Sequence, residues 1–259
     1  MTDVRLHEVP LSREEVRQVL TICSPKGLLV GGQALAFWAD HLAVELPTDL
    51  VPAVTADADF IGDSALAKEL GRRLGWKTWL PSLDDATPQT GKVTQRLKDG
   101  GIKQVEFLSG VVGLTTKDVV RRAVELAVPE IGLVRLMHPV DVLDSRIQNL
   151  HLLPEKRSRS GVAQAKLAVD VVHAFIRRVI AEQSERQGLK LLERVVAIAE
   201  DIAAIHVFLL HGIDPLLAVP IESFRTAPKL HNQRWPQIQS AVAKKREAAR
   251  QALRGSRPR

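Results

Sequence analysis

At Pro139 the chain changes character, and that change constrains its fold more than any other feature. Up to about residue 137, short apolar runs of strand length alternate with helical-period segments and are punctuated by Gly, Pro and Asp. Beyond it, two long stretches at 162–185 and 189–211 place apolar residues at helical spacing. The pattern predicts an α/β domain over 1–137 and an all-helical domain over 138–259. A chain of 259 residues is long enough to bury a core in each.

Local signals divide the first part further. Ser12 and Glu15 form a capping-box pattern ahead of Val16, Val19, Leu20 and Cys23, which predicts a helix over 12–23. Leu28-Leu29-Val30 reads as a buried strand, ended by Gly31-Gly32 and followed by a helix from Gln33 to Leu42. Residues 55–61 read as a strand, and Asp63 as the cap of a helix from Ser64 to Leu74. Residues 76–80 suggest another strand. Asp99-Gly100-Gly101 marks a hairpin between strands at 92–97 and 102–108. A helix over 117–126 and a strand over 131–136 complete the domain. In the second part, Pro139 opens a helix, a shorter helix is expected at 214–224, and a basic helix spans 236–253.

Composition excludes several classes. The single cysteine, Cys23, allows no internal disulfide and reads as a core thiol, which points to a reducing cytoplasmic setting. The charged N-terminus does not read as a signal peptide, and no apolar run reaches the ~18 residues of a membrane span. The eight histidines show no metal-ligand spacing. Net charge is +6, and residues 244–259 hold seven basic residues against one acid, Glu247. Seven minus one is the whole excess, so residues 1–243 are formally neutral. A basic end of this kind suits a phosphate backbone, or is simply solvated.

Three features carry chemistry when taken together. Glycines at a strand-to-helix turn, Gly31-Gly32, let backbone approach a phosphate at a helix start, although most such pairs only make a tight turn. Asp57 and Asp59 stand two apart in a strand, so both side chains face one way, and a cation relieves their repulsion. A solvated strand end is the plain alternative. Glu106 lies among apolar neighbours in Gln104-Val105-Glu106-Phe107-Leu108. If its strand lies beside that of Asp57, three carboxylates converge, as metal-assisted phosphoryl or nucleotidyl transfer requires. On an exposed face it has no such meaning.

The segments Val30-Gly31-Gly32-Gln33-Ala34-Leu35, Thr55-Ala56-Asp57-Ala58-Asp59-Phe60 and Val105-Glu106-Phe107-Leu108 resemble the DNA polymerase beta-type nucleotidyltransferase superfamily, near its AbiEii-type toxin branch. His138-Pro139 and Ser145-Arg146-x-x-Asn149-Leu150 are similar too. The likeness covers about residues 25–185. It implies an α+β fold with a mixed sheet and flanking helices, followed by a helical C-terminal domain. It also implies a Mg2+-dependent transfer of a nucleoside monophosphate from a nucleoside triphosphate. Asp57, Asp59 and Glu106 would hold the metal, and Gly31, Gly32 and Gln33 the triphosphate. Lys166 and Asp170, one helical turn apart, would match a lysine and an aspartate that serve the site in the toxin branch, with Lys156 and Arg157 competing for the phosphate. The acceptor would be RNA, reached through the basic tail, a protein or a small molecule, and an antitoxin-like protein partner is a further implication. Gln33 stands where the superfamily often has serine or threonine. A catalytically silent binding module is the rival reading, and an aminoglycoside-type transferase a third.

Overall fold

The computed structural model describes residues 7–46, 57–82 and 84–255. Thr55, Ala56, the loop prolines Pro47 and Pro52, and the terminal Arg257 and Arg259 lie outside them. The chain forms two compact units, Met1–Asp40 with Glu45–Val142, and His41–Val44 with Leu143–Arg259. The first contains β1 (His7–Glu8), α1 (Arg13–Cys23), β2 (Leu28–Val30), α2 (Gly31–His41), β3 (Asp57–Ile61), α3 (Ser64–Leu74), β4 (Lys77–Trp79), β5 (Gln89–Arg96), β6 (Gly101–Leu108), α4 (Thr116–Arg121), β7 (Val124–Val128) and β8 (Gly132–Leu136). The boundary falls within α5 (Pro139–Leu152).

Short-range chemistry accounts for most of these elements. The Ser12 hydroxyl accepts from the Glu15 backbone N–H at 3.3 Å, and the Ser12 N–H donates to the Glu15 carboxylate at 2.7 Å, which completes the capping box of α1. The Asp63 carboxylate caps α3 by accepting from the Leu66 N–H at 2.9 Å. Cys23 is fully buried, and burial pushes its thiol up to about 12, so it is an inert core group. In this unit one expected element is corrected. The helix expected over 117–126 stops at Arg121, and Val124–Val128 is a strand paired antiparallel with β8. Its exposure alternates, with Val124, Leu126 and Val128 partly buried and Glu125 and Ala127 exposed, and a strand satisfies that period of two.

The strands join in one mixed sheet of order β4-β5-β6-β3-β2-β8-β7, with β1 added to β6. The pairs β3–β6, β2–β8 and β1–β6 are parallel, and the others antiparallel. The fold is therefore α+β, with a mixed sheet and a helical C-terminal region. One face is apolar: Phe60 and Phe107, register partners on β3 and β6, stack at 5.9 Å. Helix α3 covers this face closely. A Cβ added at Gly91 would fall 2.6 Å from that of Ala67, and one at Gly71 would collide with the Thr78 hydroxyl. Strand alternation turns the neighbours of these residues to the other face.

The second unit contains α6 (Arg159–Glu182), α7 (Glu185–Glu200), α8 (Ile202–His211) and α9 (Trp235–Gly255). The stretch 189–211 is two helices, because Asp201 is extended (φ −69, ψ 146) and caps α8 through the Ala203 N–H at 2.8 Å. The short helix expected over 214–224 is two 3-10 turns, Pro215–Ala218 and Ile221–Ser223. Among the described residues no single helix is long and apolar enough to cross a membrane.

Helix α9 is docked on its own unit. Trp235, Ile238 and Val242 pack with Ala199 and Leu216. Arg246 forks onto the Asp214 carboxylate at 2.9 and 2.6 Å, and its guanidinium lies 3.7 Å over the Phe208 ring. Lys245 pairs with Glu200 at 3.0 Å and Arg250 with Glu247 at 2.8 Å. Lys244 and Arg254 are exposed. Much of the basic segment is thus engaged within the unit, and Arg246 above all fastens it. Replacing Arg246 by methionine keeps the apolar stem but strands the half-buried Asp214 carboxylate. The expected cost in chemical denaturation is roughly 2–3 kcal/mol, below the range for fully buried pairs.

Candidate functional site

The face of the sheet opposite α3 carries the polar residues. Strand β2 ends at Val30, whose register partner is Asp59. Gly31 follows with φ +70, a left-handed conformation that glycine adopts without strain. A Cβ at Gly31 would collide with the Asp59 Oδ2, and it would lie 3.0 Å from Cγ and 3.1 Å from Cβ of that residue. The Asp59 carboxylate therefore rests directly on the backbone where α2 begins. The first turn of a helix turns its N–H groups outward along the axis, away from the helix's own carbonyl ladder. Gln33 is buried, at 8% exposure.

Asp59 pairs in register with Glu106 across the parallel β3–β6 ladder, and Asp57 with Gln104. Register partners on adjacent strands share a face, with backbones about 4.8 Å apart. The sheet thus brings Asp59 and Glu106 together beside Gly31, and it pairs the Asp57 backbone with Gln104 in the neighbouring cross-strand row. Asp57 is described by its backbone alone. Among the described residues no group of three or more His, Cys, Asp or Glu side chains forms a metal-holding set. The donors at hand are carboxylate oxygens, and a close backbone cradle flanks them. Both suit a hard divalent cation such as Mg2+.

Two residues of this face escaped the sequence reading. Lys92 on β5 is the register partner of Glu106, and its Nζ lies 2.6 Å from Oε1 of that carboxylate. Gln104 is buried at 8% exposure. Its Oε1 accepts from Lys92 at 3.4 Å, and its Nε2 donates to Glu8 at 2.9 Å. Only the pairing of distant segments reveals this network.

Lys166 and Asp170 belong to the helical unit, one turn apart on α6, and both are exposed. Desolvation nonetheless holds the Asp170 carboxyl above its ordinary range, against the pull of nearby His173. Arg157, a rival phosphate ligand in sequence, donates to the Leu150 and His151 carbonyls at 2.9 and 2.7 Å and so caps the end of α5. Of the other residues in the sequence likeness, His138 and Arg146 have structural partners, while the buried Ser145 hydroxyl has no hydrogen-bond partner among the described residues. The His138 Nδ1 accepts from the Val140 N–H at 3.1 Å. Arg146 donates to Gln164 at 2.8 Å.

No family model matches the chain, and no curated protein matches it. Among solved structures, the crystal structure of JHP933 from Helicobacter pylori is similar over 93% of this chain and 94% of that one, at 13% identity and a TM-score of 0.33. A likeness that low carries no argument about fold or function.

Gly31→Ala tests the cradle. The new methyl meets the Asp59 carboxylate, and the left-handed backbone is strained by any side chain. The expected loss is roughly 1–3 kcal/mol in denaturation, with Asp59 displaced. Gly75→Ala has the same positive φ but nothing within 4 Å of its added Cβ, so it should lose less. Equal losses in the two variants would show that Asp59 does not press on Gly31.

Proposed function

We propose that this protein is a Mg2+-dependent nucleotidyltransferase whose metal site is the row Asp57, Asp59 and Glu106. The observation that carries the reading is the parallel register of β3 and β6, with Asp59 opposite Glu106 and against Gly31. The sequence likeness to the polymerase beta-type superfamily adds to it.

The carboxylates of Asp59 and Glu106, with Asp57 two residues earlier on β3, would hold the cation. When bound, Mg2+ neutralises charge on the triphosphate and on the leaving pyrophosphate. The backbone N–H groups at the start of α2 would receive phosphate oxygens, with glycine leaving room for close approach. An oxygen or nitrogen of the acceptor forms a bond to the α-phosphorus, and the bond from that phosphorus to the bridging oxygen breaks. Pyrophosphate leaves with that electron pair, and one carboxylate of the row takes the acceptor's proton. The acceptor is an RNA, a protein side chain or a small molecule.

One observation favours the rival reading of a catalytically silent module. Lys92 already supplies Glu106 with a positive charge, as an ordinary ion pair on a sheet would. Incubation of the full chain with each labelled nucleoside triphosphate, Mg2+, total RNA and a protein lysate separates the two. Transferase activity predicts label on one acceptor class. Asp59→Asn should reduce it by more than about a hundredfold, beyond what loss of an outer-shell partner costs. The far-ultraviolet circular dichroism should stay unchanged. Label transfer that persists in Asp59→Asn would remove the carboxylate row from the reaction. Absence of transfer to all acceptors, with triphosphate still bound, would favour the silent module.

A further inference from the structure

The helical unit holds a pocket of about 170 Å3 where the end of α5 meets α8 and α9. Its apolar lining is of two kinds. Leu150 and Val207 are buried, whereas Leu210 and Leu253 leave 65% and 49% of their surface exposed. Those two leucines would gain from an apolar body laid against them. The polar lining is cationic or can become so. His151 and His206 meet with ring centroids 5.2 Å apart, tilted by 46°. Arg157 joins them, held at the pocket by its Nε and Nη2 bonds to the Leu150 and His151 carbonyls. On α8, His206 and Leu210 are one turn apart, so one helix face presents both the imidazole and the leucine.

We propose that this pocket binds a small monocarboxylate with an apolar body of about benzene size, its carboxylate against His151, His206 and Arg157 and its body against the leucines. The site lies within the helical unit and does not rest on the reading of the sheet face. Size sets the body. A cavity of about 150 Å3 lined by apolar side chains holds benzene, and the present volume is of that order. It is well below the ~300–1,000 Å3 of pockets for drug-sized ligands, which argues against a nucleotide or a long lipid chain. Charge sets the head group. Arg157 is the permanent cation, and two of its N–H groups already serve backbone carbonyls. The imidazoles add charge only when protonated. Burial and then the neighbouring His206 hold His151 below its ordinary range, Asp201 pulls the other way, and Arg157 adds to the lowering. One negative charge on a ligand matches this set, and a phosphate dianion would call for more fixed positive charge. A carboxylate favours the imidazolium form, so binding takes up protons and tightens as pH falls through the imidazole range.

The test titrates benzoate into the full chain and follows the histidine imidazole signals by nuclear magnetic resonance. Benzamide, a neutral molecule of the same shape, is the control. Benzoate should shift the His151 and His206 signals saturably and bind at least about tenfold more tightly than benzamide, the scale of one charge-assisted contact. Lowering the pH from about 7.5 to about 5.5 should tighten benzoate by about tenfold and leave benzamide unchanged. Leu210→Asp, at an exposed position, sets a like charge at the pocket and should weaken benzoate by about tenfold relative to Leu210→Asn. The double variant His151→Gln with His206→Gln should lose the pH dependence. If circular dichroism shows that this variant does not fold, the Leu210 pair and the benzamide comparison decide. Equal affinity for benzoate and benzamide, or pH-independent benzoate binding by the wild type, would overturn the proposal. So would equal binding by Leu210→Asp and Leu210→Asn, wild-type pH dependence in the folded double variant, shifts centred on other histidines, or no saturable benzoate binding at all.

Discussion

The parallel pairing of β3 with β6 governs both faces of the sheet at once. The register that stacks Phe60 on Phe107 against α3 also sets Asp59 beside Glu106 on the opposite face. A slip of one residue would bury the acids and expose the aromatics, so burial of the phenylalanines enforces the alignment of the carboxylates. Charge repulsion opposes that alignment, and the apolar face overcomes it, with Phe60 and Phe107 both fully buried. The ion pair of Lys92 with Glu106 reduces the remaining strain.

The helical unit depends on a different contact. Its last helix carries the excess positive charge of the chain, yet Arg246 is only 11% exposed, clamped on Asp214 and stacked on Phe208. Charge that looks available in the sequence is in part structural. Any nucleic-acid contact of α9 would have to use exposed residues such as Lys244 and Arg254.

Sequence made the local features legible. Ser12 with Glu15, Asp63 before Ser64, and Gly31 after Leu28-Leu29-Val30 each act over a few residues, and each stands where those residues require. What depended on distant pairing was harder to read. Nothing within Gln89–Arg96 says that Lys92 meets Glu106, since that contact needs both the hairpin register and the face assignment of β6. The β7 strand was hidden because Thr116–Arg121 starts a helix just before it, and the alternation of Val124–Val128 is short. The break at Asp201 was masked by apolar periodicity that continues on both sides of it. For the candidate site, Asp57, Asp59, Glu106 and Gly31 were found as separate signals. The register that unites Asp59 with Glu106 and Gly31 was a condition the sequence alone could not meet.

A divalent cation held as proposed would sit beside Gly31, Asp59 and Glu106, next to the backbone amides of three strands or helix starts. Paramagnetic broadening of backbone amide signals by substoichiometric Mn2+ tests it most directly, because the effect falls steeply with distance from the ion. The amides of residues 31–33, 58–60 and 105–107 should broaden first, and excess Mg2+ should restore them. Broadening centred on another cluster, such as the acids of the helical unit, or uniform broadening without a centre, would contradict it.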